Sequence, residues 1–497
     1  MMNTNEINSL ILVLLAIPLL FIIFKNYYKK SKLKGPQLPP GPTPWPLIGN
    51  IPHLGKLPHS SVANYAQIYG PIMTFKLGFK NLIVGSSPTI AMEILSKQDL
   101  ILSGRDTPRA FPHSRQELNH ISIGWTEDCN ESWKNLRALC KSELFSGKTL
   151  ESQESLREKK IFDMVDFLKA NEGKTVNIGQ VAFATIFNML SNILLSRDLI
   201  SLQEDIERST MKNLLRGIVE VVSAPNLSDI YPIFNELDPQ GLRNKANSLW
   251  QQLWSILGPI VEERRKNIHE ANQRDFLDTL IDQKFSDAGF NEILMELFNA
   301  GADTSTSTID WMMAELIKNP EIMKKLREEL DIEVIKQGKI KESHIMNLPY
   351  LQACIKETLR LHPPIPLLLP HRALEDCKVM NYTIPKNAQV MVNVWAIGRD
   401  PILWENPLEF KPERFVNSPL DFIGKDFIFL PFGAGRRMCP GYPMAARQIS
   451  LVIASLVHSF DWSLPNGEGP DMLDMKEEFG ITLQKKQPMI LIPRPRK

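Results

Sequence analysis

Apolar and polar positions divide the chain into a short apolar N-terminal run and a long body of amphipathic segments. Between about residues 130 and 345, apolar residues recur at helical spacing in long stretches rich in Leu, Ile, Glu and Lys. Alternating stretches at Ile72–Leu77 and Asn81–Val84, joined by a turn that contains Gly78, predict a hairpin. Gln389–Trp395 has the same character and predicts a further strand.

Prolines and glycines mark the ends of the remaining predicted elements. Ser60–Tyr69 predicts a short helix that stops at Gly70, and Tyr442–Ser459 predicts the final long helix. The tail, Ile481–Pro493, predicts a last hairpin. No internal repeat or linker interrupts residues 45–497. The pattern therefore predicts one large domain, mainly α with minor β.

Residues 1–34 form a separate unit, which we interpret as an uncleaved membrane anchor. Leu10–Phe24 is apolar apart from Pro18, and with the preceding residues it nears the ~17 residues that a bilayer requires. Five lysines follow it, whereas a cleaved secretory signal carries its positive charge before the apolar core. Because positive flanks stay on the cytosolic side, the bulk of the chain is expected in the cytosol.

Residues 35–46 contain six prolines and so exclude a helix or a central strand. Such a segment is stiff and extended, and it suits either a plain linker or a rigid spacer that orients the body on the membrane. Residues 47–497 then form the main domain.

Composition narrows the class of protein. The chain has 57 basic and 56 acidic residues, and its 23% charged content is too high for a polytopic membrane protein. Without residues 1–34 the balance is 52 basic against 55 acidic, a net charge of −3. This excludes a global nucleic-acid binder. Five cysteines without a C-x-x-C pair indicate free thiols in a reducing compartment.

The segment Phe432–Gly441 carries the strongest chemical signal. Its glycines permit an unusual backbone path, and Arg436 and Arg437 add positive charge near Cys439. A predicted helix begins directly afterwards, so that its N-terminal dipole faces the sulfur. This setting predicts a lowered thiol pKa and a thiolate ligand, although a lone cysteine in a glycine-rich loop is also consistent with a structural role.

The same segment resembles the haem-binding loop of the cytochrome P450 superfamily, F-x-x-G-x-R-x-C-x-G. Phe432, Gly435, Arg437, Cys439 and Gly441 occupy every fixed position. The resemblance, which extends over residues 30–497, implies a single large cytochrome P450 fold preceded by one N-terminal transmembrane helix. It also implies that Cys439 is the axial ligand of a haem iron and that Phe432 and Arg437 contact the haem.

A second set of motifs agrees with this resemblance and implies a structural triad. Glu357 and Arg360 match the family's E-x-x-R and share a helix face. Arg414, in Pro412–Phe415, matches the arginine of the family's P-E-R-F motif. The resemblance implies that these three side chains join, and a desolvated triad is costly to break one member at a time.

Further positions are implied as contacts to the haem propionates. Trp133 and Arg137 match a W-x-x-x-R helix, and His371 lies where the family places another such contact. With Arg437 they would offer cationic partners to carboxylates. For Trp133 alone, a core position is equally consistent with the sequence.

Ala300–Ser305, inside a helix predicted over residues 291–317, matches the oxygen-handling motif A-G-x-D/E-T-T/S. A threonine here can bond back to a carbonyl one turn earlier and bend the helix. The resemblance implies that Asp303 and Thr304 relay protons to dioxygen, a task suited to an acid beside a hydroxyl. A helix kink with a solvated acid is the alternative.

The anchor and Leu38–Pro42 resemble the endoplasmic-reticulum members of the family. The resemblance implies a single-pass protein with its catalytic domain facing the cytosol. It also implies electrons from NADPH, delivered by a separate membrane-bound reductase, because the chain contains no G-x-G-x-x-G motif. The expected partners are therefore this reductase, the bilayer and a small substrate, with no nucleic acid.

Substrate-lining positions also follow from the resemblance. They are apolar and bulky, which suits an aromatic or terpenoid molecule. The candidates are Phe111, His113, Phe298, Leu367, Leu368 and Phe479.

Finer resemblance points to plant enzymes that tailor alkaloids. Residues 379–386, 393–400 and 460–465 are similar to N-methylcoclaurine hydroxylases, phenol-coupling enzymes and littorine mutases. The next nearest group is the geraniol-type terpenoid hydroxylases. The expected reaction is hydrogen abstraction from an aromatic, amine-bearing alkaloid, which gives hydroxylation or oxidative rearrangement. The alternatives are a reductase-independent haem-thiolate isomerase and a non-catalytic haem-binding protein.

Overall fold

The computed structural model describes residues 37–111, 121–204, 206–234, 237–267, 274–337 and 340–496. Two predictions, the membrane anchor at residues 1–34 and the substrate contact at His113, lie outside these described residues.

Helices dominate the described chain, with short strands at both ends. The helices of the first half are α1 Ile51–Leu54, α2 Pro58–Tyr69, α3 Pro88–Met92, α4 Glu131–Cys140, α5 Gly147–Ser152, α6 Glu154–Ala170, α7 Ile178–Leu195, α8 Thr210–Ser223 and α9 Leu227–Ile230. The remaining helices are α10 Leu242–Lys266, α11 Phe276–Asp282, α12 Asp287–Lys318, α13 Pro320–Gln337, α14 Glu342–Ile345, α15 Pro349–Leu361, α16 Val394–Ile397 and α17 Tyr442–Ser459. The strands are β1 Ile72–Leu77, β2 Lys80–Gly85, β3 Val176–Asn177, β4 His371–Arg372, β5 Cys377–Val379, β6 Tyr382–Ile384, β7 Gln389–Val392, β8 Phe460–Ser463, β9 Glu477–Glu478, β10 Gln484–Lys485 and β11 Ile490–Pro495.

The long helix α12 is the axis of the core. The side chain of Ser286 caps its first turn by accepting from the amide of Gly289 at 3.2 Å. Helices α7, α10, α13, α15 and α17 all pack against it. The helix predicted over residues 291–317 is confirmed and extends by four residues at its start and by one at its end. Its middle turns lie deep inside the protein.

The largest sheet has the order β1–β2–β7–β4, with β2 and β7 parallel and the other pairs antiparallel. The predicted β1–β2 hairpin is confirmed. The strand predicted at Gln389–Trp395 ends early, because the side chain of Asn393 accepts from the amide of Ala396 at 3.0 Å and caps α16. This sheet places His371 at its edge, in β4.

The hairpin predicted at Ile481–Pro493 is wrong. Gln484 of β10 pairs with Glu478 of β9, whereas Ile490 of β11 pairs with Asn177 of β3. The two strands of the tail therefore belong to different sheets, and β11 lies between β3 and β8.

The described part of the proline-rich segment, from residue 37, lies along the body. The carbonyl of Gln37 accepts from the amide of Thr383 at 2.9 Å, and that of Pro40 accepts from Thr74 at 2.8 Å. A Cβ on Gly41 would meet the carbonyl oxygen of Thr74 at 1.9 Å, so that glycine is required at this crossing. The segment is thus attached to two sheets, through β1 and β6.

Within the described ranges, one helix, α7, is long and apolar enough to cross a membrane. Most of its length is buried inside the protein, where it packs against α12, as expected of a core helix.

Candidate functional site

The loop that carries Cys439 follows a path that only glycine allows. Gly433 and Gly435 have φ angles of 70° and 69°, in the left-handed region. A Cβ on Gly435 would lie 1.9 Å from the carbonyl oxygen of Leu95. The amide of Cys439 donates to the carbonyl of Phe432 at 3.0 Å and closes the loop directly before α17.

The thiol of Cys439 lies deep in the protein, although the residue as a whole is only half-buried. Burial raises its pKa above the ordinary value, although the amides of Gly441 and Tyr442 and the charge of Arg137 lower it. The predicted lowering is therefore wrong for the thiol by itself, because burial outweighs the helix terminus and the cation. A metal cation deprotonates a coordinating thiol outright, so the site fits a thiolate ligand once metal is bound.

The cation that acts on the thiol comes from α4. Two arginines were expected to supply it. Arg436 lies 3.3 Å from the carboxylate of Asp99, and Arg437 donates to backbone carbonyls at Ser103 and Thr126. Arg137 reaches the loop instead, where its guanidinium donates to the carbonyl of Met438. The positive charge that acts on Cys439 therefore comes from Arg137 and not from either expected arginine.

Arg437 and Trp133 hold one short loop between them. Arg437 donates to the carbonyls of Ser103 at 2.9 Å and Thr126 at 2.7 Å. The indole N–H of Trp133 donates to the carbonyl of Ile123 at 2.8 Å, and the Arg437 guanidinium stands 4.8 Å from the centre of the indole ring. Trp133 is thus buried in the core and in contact with the cationic cluster, so that both interpretations of its role fit the geometry.

His371 belongs to the same cluster. Its Nδ1 lies 2.6 Å from the carbonyl oxygen of Leu102. Burial, and then the charge of Arg105, hold the pKa of His371 well below its ordinary value. The imidazole is therefore neutral in this setting, and a nearby anion would favour its protonated form.

Arg105 is a member of the cluster that sequence reasoning missed. It is buried and donates to the carbonyls of Leu369 at 2.8 Å, Pro370 at 2.9 Å and Gly124 at 3.1 Å. Burial and the charge of Arg437 lower its pKa to about 9. Arg105 matches none of the motifs in the sequence, and its partners lie far along the chain.

These cations have no close anionic partner in the part of the chain that the structure describes. There, no carboxylate lies within 4.0 Å of Arg105, Arg137 or Arg437. Arg105 is buried and the other two are half-buried, and charges in such surroundings are normally paired. A ligand that brings its own carboxylates and a metal for the thiol fits both features, and haem has both.

The acid–alcohol pair lies on α12. The hydroxyl of Thr304 donates to the carbonyl of Ala300 at 2.7 Å, as predicted. Asp303 accepts from Nε2 of Gln484 in β10 at 3.0 Å. Burial raises the pKa of Asp303, whereas hydrogen bonds from Thr482 and Gln484 lower it, with a net rise. A carboxyl held in this way is suited to donating protons.

The structure brings the Glu357, Arg360 and Arg414 side chains together. Arg360 donates to both carboxylate oxygens of Glu357, at 2.7 and 2.8 Å, and Arg414 donates to one of them at 3.1 Å. Glu357 and Arg360 have no exposed side-chain surface. The triad therefore ties α15 to the segment that precedes the Cys439 loop.

The predicted apolar contacts lie in two places. Phe298, on α12, is fully buried and stacks on Phe187 with 4.7 Å between ring centres. Phe111 packs against Trp125 at 5.4 Å and Trp250 at 5.8 Å. Both sites offer aromatic surface next to the central helix.

The other predicted substrate contacts lie in the last third of the chain. Leu367 is buried, and Leu368 has a φ of 52°, an unusual value for a leucine. Phe479 keeps about a third of its surface exposed and stacks on His59 at 5.5 Å.

The Cys439 loop, its cationic surroundings and the α12 pair are those of a haem-thiolate protein that handles oxygen. The chain belongs to the cytochrome P450 family: the family model described as Cytochrome P450 matches residues 39–492.

Similar proteins come from plants. (S)-N-methylcoclaurine 3'-hydroxylase isozyme 1 of Papaver somniferum is 46% identical over 480 residues, which cover 96% of this chain and 98% of the relative. Corytuberine synthase of Coptis japonica is 43% identical, with 97% and 98% covered. Geraniol 8-hydroxylase of Catharanthus roseus is 40% identical, with 98% and 99% covered.

The protein is accordingly a cytochrome P450 monooxygenase with a haem-thiolate cofactor. It acts on a small molecule with dioxygen and with electrons that pass from NADPH through a reductase. The bound haem supplies the reductive activation of dioxygen.

Proposed function

We propose that this monooxygenase oxidises a plant alkaloid that carries an aromatic ring and an amine. The reaction removes a hydrogen atom and gives hydroxylation or oxidative rearrangement. The observation that carries the proposal is the 46% identity over 96% of the chain with an (S)-N-methylcoclaurine 3'-hydroxylase. Relatives with this activity in their names recur at 45–46% identity, above geraniol 8-hydroxylase at 40%.

Aromatic surface beside α12 supports an aromatic substrate. Phe298 and Phe111 both belong to buried ring clusters and can offer edge or face contacts to a substrate ring. Leu367, Leu368 and Phe479 complete the proposed substrate contacts, with His113 retained from the sequence. A geraniol-type terpenoid is the second candidate, because the geraniol 8-hydroxylases match almost the whole chain.

The proposed roles on the haem side follow from the cluster geometry. Cys439 would hold the haem iron through its sulfur, and the carbonyl of Phe432 holds the Cys439 loop by accepting from the Cys439 amide. The cationic and N–H donors that would hold the haem propionates are Arg105, Trp133, Arg137, His371 and Arg437. Glu357, Arg360 and Arg414 are structural, since the triad is fully engaged with itself and with backbone carbonyls.

The proposed role of Asp303 and Thr304 is proton delivery. Asp303 holds a proton more readily than an exposed aspartate, because burial raises its pKa. Thr304 presents a hydroxyl oxygen next to it on the same helix, and its own proton is held by the Ala300 carbonyl. The pair can therefore pass protons to oxygen bound beside α12.

Substrate titrations test the alkaloid proposal. (S)-N-methylcoclaurine should shift the haem absorption spectrum at lower concentration than geraniol. With reductase and NADPH it should then give a hydroxylated or rearranged product. Tighter binding and faster oxidation of geraniol would favour the terpenoid candidate. Product without NADPH would mean a reductase-independent isomerase, and no product from either compound would refute both substrate proposals.

The cofactor assignment has its own test. The reduced, carbon-monoxide-bound wild type should show the long-wavelength Soret band of a thiolate ligand. Cys439→Ser should lose that band, whereas Cys377→Ser, at a buried thiol far along the chain, should keep it. An unchanged band in Cys439→Ser would refute the ligand assignment.

The proposed location is the endoplasmic-reticulum membrane, with residues 1–34 as a single-pass anchor and 35–46 as a hinge before the catalytic domain at 47–497. An exposed apolar surface near the start of the described chain supports contact with a bilayer. Trp45, Leu47, Phe79 and Ile233 are between 55% and 80% exposed. Tyr231 connects them, because its hydroxyl donates to the Leu47 carbonyl at 3.3 Å and its ring packs on Phe79.

Deletion of residues 1–34 tests this location. The truncated chain should leave the membrane fraction at high salt, and its release should increase further when Phe79 and Ile233 are replaced by serine. Complete retention of this truncated double variant would place membrane attachment elsewhere.

A further inference from the structure

Beyond Asp303, α12 carries further polar residues along one line. In the stretch Ala302–Leu316, only Asp303, Thr304, Thr306 and Asp310 keep appreciable accessible surface, and every other residue is buried. Asp303, Thr306 and Asp310 are spaced by three and four residues and so share one face of the helix. A line of polar residues that are only partly buried therefore follows an otherwise buried helix.

Two elements form the walls of this line. On one side α7 approaches at Gly179, where a Cβ would lie 3.2 Å from Oδ1 of Asp310. On the other side β10 supplies Gln484, bonded to Asp303, and Lys485, whose charge acts on Asp310. The face of α12 that carries the three residues thus lies in a seam between α7 and β10.

The polar atoms in the seam have capacity for water. Thr306 Oγ1 and Asp310 Oδ1 are buried atoms without a hydrogen-bond partner among the described residues. Ordered water is the usual partner of such atoms in a polar crevice. The helix rises about 10 Å between Asp303 and Asp310, and Thr306 divides that distance into gaps that a water molecule can bridge. Burial raises the pKa of Asp310 to about 7, although the charge of Lys485 lowers it, so this carboxyl exchanges protons near neutral pH.

We propose that Asp310, Thr306 and Asp303 line a hydrated path that carries protons from the Gly179 end of the seam to the oxygen site. Asp310 is the positioning acid at the entrance: it gives its proton to water in the seam and regains one from solvent, while a proton passes on to Asp303. No electrons move in this step. The proposal rests on the monooxygenase reaction and on the proposed role of Asp303, and it does not depend on the alkaloid substrate.

The test compares Asp310→Asn and Thr306→Val with Asp287→Asn in the full chain with reductase. Asp287 is a matched control because it lies on the same helix, at an exposed end where it pairs with Arg265 at 2.8 Å. With (S)-N-methylcoclaurine as the probe, the first two variants should lower product per NADPH several-fold and increase the solvent deuterium isotope effect. Turnover driven by hydrogen peroxide should be unchanged, since peroxide brings oxygen and protons together.

A second measurement does not depend on turnover. Infrared difference spectra should show a protonated-carboxyl C=O band that titrates near neutral pH in the wild type and in Asp287→Asn but is absent in Asp310→Asn. Thr306→Val should retain the band, because the hydroxyl only relays. The carbon-monoxide spectrum of each variant shows that the fold and the haem are intact.

Two results would overturn the proposal. One is unchanged coupling in both Asp310→Asn and Thr306→Val. The other is a loss of coupling in Gln484→Leu alone, which would mean that protons enter beside Asp303. If the wild type does not oxidise (S)-N-methylcoclaurine, the alkaloid proposal fails. The proton path can still be tested by the infrared band and by the amount of peroxide released during NADPH oxidation.

Discussion

Replacing Glu357 by glutamine should destabilise the protein strongly, because this carboxylate compensates two buried arginines at once. Its two oxygens accept from Arg360 at 2.7 and 2.8 Å, from Arg414 at 3.1 Å and from the amide of Lys411 at 2.8 Å. Glu357 and Arg360 have no exposed side-chain surface, and Arg414 has 9%. A glutamine keeps one acceptor oxygen but places an N–H₂ group against a guanidinium.

The expected loss in free energy of unfolding follows from the burial of these side chains. Removing one partner of a buried ion pair destabilises a protein by about 3–5 kcal/mol, and the acceptor that glutamine keeps favours the lower end. We therefore expect about 3 kcal/mol, a large part of the roughly 5–15 kcal/mol that separates folded from unfolded states. Because the triad precedes the Cys439 loop, unfolding and loss of the thiolate-bound haem should coincide.

The assay is urea unfolding of the detergent-solubilised full chain, followed by loss of the carbon-monoxide-bound Soret band. Glu413→Gln is the matched control, since Glu413 pairs with Lys325 at 2.7 Å on the surface, where such pairs contribute about 0–1 kcal/mol. Glu357→Gln should move the urea midpoint several times farther than Glu413→Gln. Equal shifts of the urea midpoint in the two variants would refute the argument that burial determines the loss in free energy of unfolding.

Three further results are expected. Thr304→Ala should continue to consume NADPH but release more of the oxygen as peroxide; unchanged product per NADPH would contradict the proton-relay role. Gly435→Ala and Gly467→Ala share φ angles near 70° and so a backbone cost of about 1–2 kcal/mol, but only Gly435→Ala should lose the haem-thiolate spectrum, because a Cβ on Gly467 meets nothing within 4 Å. Asp310→Asn should change the pH dependence of the melting temperature. Because burial raises the pKa of Asp310 to about 7, its contribution to stability is present below the unfolded pKa and is lost as the pH rises through about 7. Between pH 5 and about 7 the variant should therefore gain on the wild type by roughly 3 kcal/mol, since about two pKa units at about 1.4 kcal/mol each lie in this range, and a constant difference would contradict the shift.

The sequence predicted those features that depend on neighbouring residues. The spacing of apolar positions placed α12 and α17 within a few residues of their observed ends, because a helix satisfies its hydrogen bonds locally. The Glu357–Arg360 contact is likewise set by the turn of one helix. Arg414 was placed through its motif alone, and the structure brings it to Glu357.

Features that depend on distant partners could not be predicted in this way. The alternation at Ile490–Pro495 indicates a strand but not its neighbours, which lie at Val176–Asn177 and Phe460–Ser463. Arg105 is positioned by the carbonyls of Leu369 and Pro370, more than 260 residues away. The sign of the Cys439 pKa shift was wrong for the same reason, since burial is a property of the whole fold and outweighs the helix terminus that the sequence does show.

The short loop that contains Ile123 and Gly124 connects α12 with the cationic cluster around Arg437. The amides of Ile123 and Gly124 donate to the carboxylate of Glu296 on α12, at 2.9 and 2.5 Å. The carbonyl of Ile123 accepts from Trp133 at 2.8 Å and from Arg437 at 3.3 Å. The carbonyl of Ile123 and the amide of Gly124 belong to the same peptide unit, and both are hydrogen-bonded. The loop therefore cannot move toward α12 without lengthening the bonds to Trp133 and Arg437. The helix proposed to handle oxygen and the cations proposed to hold the cofactor therefore constrain each other through Ile123 and Gly124.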